Sequence, residues 1–111
     1  GIGDVGSIVL KDRMHLSEDG LIVVIATIKK GNGSILSGPD IVSRGFVYVR
    51  ESEDMLEKAK NIAKKSIEDT IKGGNREWSQ IKNRVRDDVG DFVWQSTKRR
   101  PMILPVIQEV N

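Results

Sequence analysis

The chain has 111 residues, of which 38% are hydrophobic, 31% charged and 5% aromatic. Independent domains commonly run to about 100–150 residues, so this length provides one domain, and the composition excludes the disordered and collagen-like classes. There is no cysteine and the only histidine is His15, which excludes a disulfide framework, a cysteine zinc site and a histidine metal cluster. The net charge of +2 does not by itself identify a nucleic-acid-binding protein.

The sequence shows no sign of membrane insertion or export. Its longest apolar runs are far shorter than the roughly 20 residues of a membrane span, and no signal-peptide pattern opens the chain. We therefore expect a cytoplasmic protein. Glycine, and not methionine, stands first, which favours either an excised piece of a longer protein or a processed chain.

The first half of the chain predicts strands. Residues 21–28 are almost wholly apolar and rich in β-branched side chains, which favours a strand buried on both faces. Turn-forming residues at 29–33 precede a short stretch, 34–37, that is expected to return as an antiparallel partner. Further strand segments are predicted at 41–42 and, after a glycine, at 46–49.

Two helices are predicted next. Ser52 is expected to cap the first, in which apolar residues recur at spacings of three and four as far as Gly73. The second starts near Trp78 and contains Gly90 as its weak point. The basic residues 98–100 are predicted to lie in its last turn, where cations are favourable.

A returning strand is predicted at 102–107, in which Pro105 indicates a sheet edge or a bulge. The elements together predict an α+β domain, with a small, mostly antiparallel, three- to four-stranded sheet and two helices packed on one face. Two helices of about 20 residues can cover one face of such a sheet but not both.

The second face of the predicted sheet is expected to need a cover. Apolar residues occupy consecutive positions in the predicted strands, whereas a strand with one wet face alternates. Three alternatives remain for what buries this face: the N-terminal arm through its apolar run 8–10, another copy of the chain, or a larger body to which this piece belongs. The expected sheet residues of such an interface are Ile22, Val24, Phe46, Tyr48, Ile103 and Val106.

Several motifs are explained without a ligand. The glycine pattern of residues 1–6 matches a dinucleotide fingerprint but lacks a preceding strand and a following helix. The sequon at 32–34 is interpreted as a hairpin turn. His15 is interpreted as a solvated or interface residue, because no catalytic constellation surrounds it.

The basic residues offer a candidate RNA contact. Lys98, Arg99 and Arg100 could hold phosphates, with Trp94 stacking on a base or on an arginine, but cations also suit a helix C-terminus without a ligand. Arg44 is a second candidate, and it could instead form an ion pair with Asp40.

Four segments resemble one family of enzymes. Residues 1–13 (GIGDVGSIVLKDR), 16–28 (LSEDGLIVVIATI), 38–52 (GPDIVSRGFVYVRES) and 97–110 (TKRRPMILPVIQEV) are similar to the C-terminal part of bacterial ribonuclease J. The resemblance implies a parent 5′→3′ exoribonuclease and endoribonuclease that matures ribosomal RNA and degrades messenger RNA. Its catalysis would belong to a metallo-β-lactamase and β-CASP body holding two zinc ions.

For these 111 residues the resemblance implies a non-catalytic domain. One histidine cannot supply the family's metal ligands, so no cofactor and no RNA cleavage are expected of this piece alone. Residues 1–17 would be a linker or arm from the missing catalytic body, and residues 18–111 an assembly domain. The implied partners are a second copy, the missing catalytic domains and, through the parent enzyme, RNA, with no membrane. The alternative is an RNA-binding appendage.

Overall fold

A computed structural model describes residues 19–45, 51–74 and 77–111. In chain order the elements are strand β1 (Leu21–Lys29), strand β2 (Ile35–Arg44), helix α1 (Glu51–Lys72), helix α2 (Trp78–Thr97) and strand β3 (Met102–Val110). The strands form a three-stranded sheet in the order β2-β1-β3. Both helices pack on one face of it, which confirms the predicted α+β class.

The sheet is mixed, whereas a mostly antiparallel sheet is predicted. One of its two strand pairings is antiparallel and the other is parallel. β1 pairs with β2 in antiparallel fashion and with β3 in parallel fashion. The reason is the helix pair: two successive antiparallel helices return the chain to the end of the sheet where β2 finished. Because β1 began at that end, a strand that starts there runs parallel to β1.

The predicted hairpin is confirmed and its second strand is longer than expected. The Lys29 N–H donates to the Ser34 carbonyl oxygen at 2.8 Å, and the Gly33 N–H donates to the Lys29 carbonyl oxygen at 2.9 Å. β2 begins one residue later than the predicted segment 34–37 and continues through 41–42 as one strand. Its pairing with β1 shifts register between Ile25 and Thr27 of β1 and again before Ile28. The predicted strand at 46–49 lies outside the described residues.

Two helix ends differ from the sequence prediction. Ser52 lies within α1, which begins at Glu51, so it is not the N-cap. α2 ends at Thr97, and the basic residues 98–100 therefore follow the helix and do not form its last turn. Lys98 itself terminates the helix in the left-handed conformation, with φ 58° and ψ 29°. The two ends predicted at Gly73 and Trp78 agree with the structure to within a residue.

The core lies between the helices and the alternate residues of β1 that face them. The helices contribute residues at spacings of three and four, as the periodicity predicts. The fully or nearly buried residues of this core are Ile22, Val24, Ala26, Ile28, Met55, Ala59, Ala63, Ile67, Ile81, Val85, Val89, Val93 and Ile103.

A polar contact joins the two helices beside this core. Ser66 is only 2% exposed, and its hydroxyl lies 2.6 Å from Oδ2 of Asp88 and 2.9 Å from the Ile62 carbonyl oxygen. The Nε of Arg84 donates to the same Asp88 oxygen at 2.8 Å. This hydrogen bond and the charge of Asp88 raise the pKa of Arg84 above its usual value, so its charge is retained at any ordinary pH.

Candidate functional site

The sheet has a second apolar cluster on the side away from the helices. It combines the other alternate residues of β1 with facing residues of both neighbouring strands. We call this set the apolar face: Leu21, Val23, Ile25, Val42, Met102, Leu104 and Val106. Leu21 and Val23 are 5% and 2% exposed, whereas the other members are partly buried.

The apolar face occupies only one half of that side of the sheet. The register places Leu21 beside Met102, then Val23 beside Leu104, then Ile25 beside Val106. The next pairing joins Thr27 to Gln108, where the surface becomes polar. The apolar half therefore lies at the end where β1 and β3 both begin.

The structure divides the expected interface residues between two sides. Ile22, Val24 and Ile103 belong to the core under the helices, whereas Val106 lies on the apolar face. Phe46 and Tyr48 lie outside the described residues. The sequence does not show which side of the sheet each residue faces, because residues 21–26 are apolar at every position. Neither the odd-numbered nor the even-numbered set contains a polar residue that would identify a solvent-facing side.

The segment after α2 is held in place by backbone hydrogen bonds. The Lys98 N–H donates to the Trp94 carbonyl oxygen at 2.7 Å, and the Arg99 N–H donates to the Thr97 hydroxyl at 3.0 Å. The Arg100 N–H donates to Oδ2 of Asp19 at 2.7 Å. Because Asp19 lies two residues before the first residue of β1, this contact fixes the basic segment near the start of the central strand.

Trp94 serves as a platform for two of these cations. The Arg100 guanidinium carbon lies 4.3 Å from the indole ring centroid and the Lys98 ammonium lies 5.4 Å from it. Both distances fall within the range of cation–π attraction, about 6 Å. The predicted stacking of Trp94 on an arginine is therefore present within the chain itself.

Arg44 lies at the same end of the sheet as the basic segment. It pairs with Leu21 across β1 and β2, while Met102 pairs with Leu21 on the other side. Two strand spacings, about 10 Å, therefore separate the backbones of β2 and β3 here. Arg44 donates to the Ser43 carbonyl oxygen at 2.9 Å, and the Asp40 carboxylate lies 4.0 Å from the Lys60 ammonium. We call Arg44 with residues 98–100 the basic end.

Neither a cluster of potential metal ligands nor a membrane-spanning helix occurs among the described residues. No group of three or more histidine, cysteine, aspartate or glutamate side chains among them could hold a metal ion, and His15 lies outside the described residues. Within the same residues, neither helix is long and apolar enough to cross a membrane.

Comparison with known proteins gives a consistent set of relatives. The profile of the family described as Ribonuclease J C-terminal domain matches residues 8–110. "Ribonuclease J 2" of Staphylococcus epidermidis is 49% identical over 110 residues, and "Ribonuclease J 2" of Staphylococcus aureus is 50% identical over 110 residues. Each alignment covers 99% of this chain but 20% of the relative, so the chain spans about a fifth of the length of these proteins.

Proposed function

Because the chain belongs to the ribonuclease J C-terminal domain family, we propose that it is the non-catalytic assembly domain of a ribonuclease J. It joins protomers, or joins the catalytic body to a protomer, through its apolar face. The parent would be a metal-dependent 5′→3′ exoribonuclease and endoribonuclease of the cytoplasm, acting in ribosomal RNA maturation and messenger RNA decay. Its two zinc ions would lie outside these 111 residues.

The observation that carries this proposal is the apolar face itself. A large side chain left in water forgoes about 1.5–3 kcal/mol of burial, and a small domain has little net stability to spare. Five side chains of the apolar face are only partly buried. A partner that covers them gains burial free energy, which favours association at this surface.

The size of the apolar face limits how tight that association can be. At about 25 cal/mol per Å², burial of 1.5–3 kcal/mol corresponds to about 60–120 Å² for each side chain. Five such side chains would present about 300–600 Å² if they were fully exposed. Because these five are partly buried, they present less than that, whereas a standard interface takes about 800 Å² from each partner. The apolar face supplies the centre of an interface, and residues around it or elsewhere in the parent enzyme supply the rest.

Two substitutions on the same strand and the same side test this proposal. In the parent enzyme, Val106→Asp places a charge in the apolar half, and Gln108→Asp places the same charge in the polar half. We expect Val106→Asp to weaken self-association at least about 10-fold, equivalent to about 1.4 kcal/mol, and Gln108→Asp to leave it unchanged. Sedimentation velocity across a concentration series measures the effect, and circular dichroism confirms the fold. An unchanged association constant for Val106→Asp would refute the proposal.

A second candidate function, RNA binding, is favoured by the basic end. The structure brings Arg44 to the same end of the sheet as residues 98–100, although more than 50 positions separate them in the sequence. Cations that lie at one end of a small sheet, near strands whose backbones are about 10 Å apart, can contact phosphates along one strand of RNA. This function does not compete with assembly, because the two surfaces adjoin and do not coincide.

Salt dependence distinguishes this candidate. We expect the triple variant Lys98→Gln, Arg99→Gln, Arg100→Gln to bind single-stranded RNA more weakly. It should also lower the slope of log affinity against log salt by about 0.7 for each lost phosphate contact. A control, Lys64→Gln with Lys65→Gln, removes exposed cations from α1 and should change neither. RNA binding that is absent, or that is equally weakened by the control, would reject a role for the basic end.

A further inference from the structure

The hydrogen bonds of β3 determine which of its backbone groups face the outer edge of the sheet. The Met102 N–H donates to the Gly20 carbonyl oxygen at 2.8 Å, and the Val110 carbonyl oxygen accepts from the Lys30 N–H at 2.6 Å. In a parallel pair, the groups that face the neighbouring strand belong to every second residue. The even-numbered residues of β3 therefore bond to β1, and the odd-numbered residues direct their N–H and C=O groups outward.

Pro105 occupies one of the outward positions. It lies at the middle of β3 and pairs with Val24 in the register, yet the absence of its N–H removes nothing from the ladder to β1. The missing donor belongs to the outer edge of the described sheet, between the outward groups of Ile103 and Ile107. A strand that added to this edge would find no donor at its centre and the proline ring in its place.

The opposite edge of the sheet carries comparable obstacles. The pairing of β2 with β1 contains register shifts on either side of Thr27 of β1, and β2 contains a second proline, Pro39. Gly38 approaches the central strand so closely that a Cβ there would lie 2.5 Å from the Ile25 carbonyl oxygen. Bulges and prolines are the features by which natural edge strands avoid pairing with another chain. Both edges of the described sheet are therefore poor templates for a further strand.

We infer that Pro105 closes the outer edge of β3 to strand addition, so that copies of this domain meet face to face and do not form a continuous sheet. The first half of this inference is independent of the proposed function, and the second half rests on it. It also explains a proline in the middle of a strand, where the sequence alone indicates only an edge or a bulge.

The test restores the missing donor at the edge. Pro105→Val in this chain adds an outward N–H and a β-branched side chain. Pro105→Ala adds the N–H alone, in case valine overfills the buried position. Pro101→Ala is the control, since it makes the same chemical change just outside the strand. We expect Pro105→Val to form, as its concentration rises, species larger than those of the unsubstituted chain. We expect Pro101→Ala to form no such larger species.

Amide hydrogen exchange identifies the surface that the new species use. In the associated state of Pro105→Val we expect at least 10-fold slower exchange at Ile103 and Ile107, whose N–H groups face outward, with Leu104 protected in both proteins. Unchanged mass for both Pro105 variants, with Leu104 still protected, would overturn the inference. The proposed assembly face is tested separately by Val106→Asp. Pro105→Val species that dissociate on adding Val106→Asp, with no new protection at Ile103, would also overturn it.

Discussion

Removal of the Ser66 hydroxyl should weaken the contact between the two helices. Ser66 lies in α1 and is 2% exposed, and its hydroxyl is 2.6 Å from a carboxylate oxygen of Asp88 in α2. A hydrogen bond to a charged group contributes about 1.5–3 kcal/mol. Ser66→Ala removes it, but the alanine gains about 0.5 kcal/mol of helix propensity. The expected net loss is about 1–2.5 kcal/mol.

The expected loss of stability is no larger because each of the two groups that Ser66 contacts keeps another hydrogen bond. The Asp88 side chain is 33% exposed and keeps its hydrogen bond to Arg84. The Ile62 carbonyl oxygen lies within α1, where the helix backbone supplies a donor. Only the hydrogen bond between the helices is lost, with no buried unpaired charge and with a cavity smaller than a methyl group. A loss above about 3 kcal/mol would therefore point to a larger rearrangement.

Urea denaturation of Ser66→Ala, Asp88→Ala and the double variant measures this contact. We expect a coupling energy of at least about 1 kcal/mol between the two positions, and a melting temperature lower by about 5–10 °C for Ser66→Ala. Ser96→Ala, at an exposed position of α2, is the control and should be neutral or slightly stabilising. Equal stability of Ser66→Ala and the parent sequence, or a coupling energy of zero, would refute the reasoning.

Two glycine substitutions should act in opposite directions. Gly90→Ala should stabilise the domain by about 0.5–1 kcal/mol in a thermal melt, because the position is helical and the new Cβ would make only an ordinary contact, 3.8 Å from Cγ1 of Ile103 in β3; a destabilised variant would contradict this. Gly38→Ala should destabilise it by about 2–5 kcal/mol, because φ is +86° and the Cβ would lie 2.5 Å from the Ile25 carbonyl oxygen. Gly31→Ala, with φ +101° and open space around it, should show only the conformational part of that loss, about 1–2 kcal/mol, and equal losses for the two variants would disprove the predicted clash.

The helices were predictable because their signals are local. The spacing of apolar residues predicted both, and the glycines and Trp78 located the ends between them. The end of α2 was misplaced because Lys98 adopts the left-handed conformation. Glycine is the usual residue there, so nothing in the sequence distinguishes Lys98 from a helical lysine.

The sheet was predicted less completely because its form depends on distant contacts. The direction of β3 follows from the path of two helices, which no local pattern encodes. The sides of β1 could not be assigned, since both are apolar and both become at least partly buried. For the same reason Ile22 and Val24 were expected at an interface, although the helices cover them, and their neighbours Leu21 and Val23 were not.

The parallel pairing of β1 and β3 explains why both candidate surfaces lie at one end of the molecule. If β3 ran antiparallel to β1, its first residue would lie beside Lys29, about 25 Å along the sheet from Leu21. Residues 98–100 would then be far from Arg44, and the apolar side chains of β3 would lie beside polar Thr27. The observed pairing instead aligns Met102 with Leu21 and Leu104 with Val23. The helix hairpin thus concentrates the apolar face and the basic end at the same end of the sheet, where one docked partner could contact both.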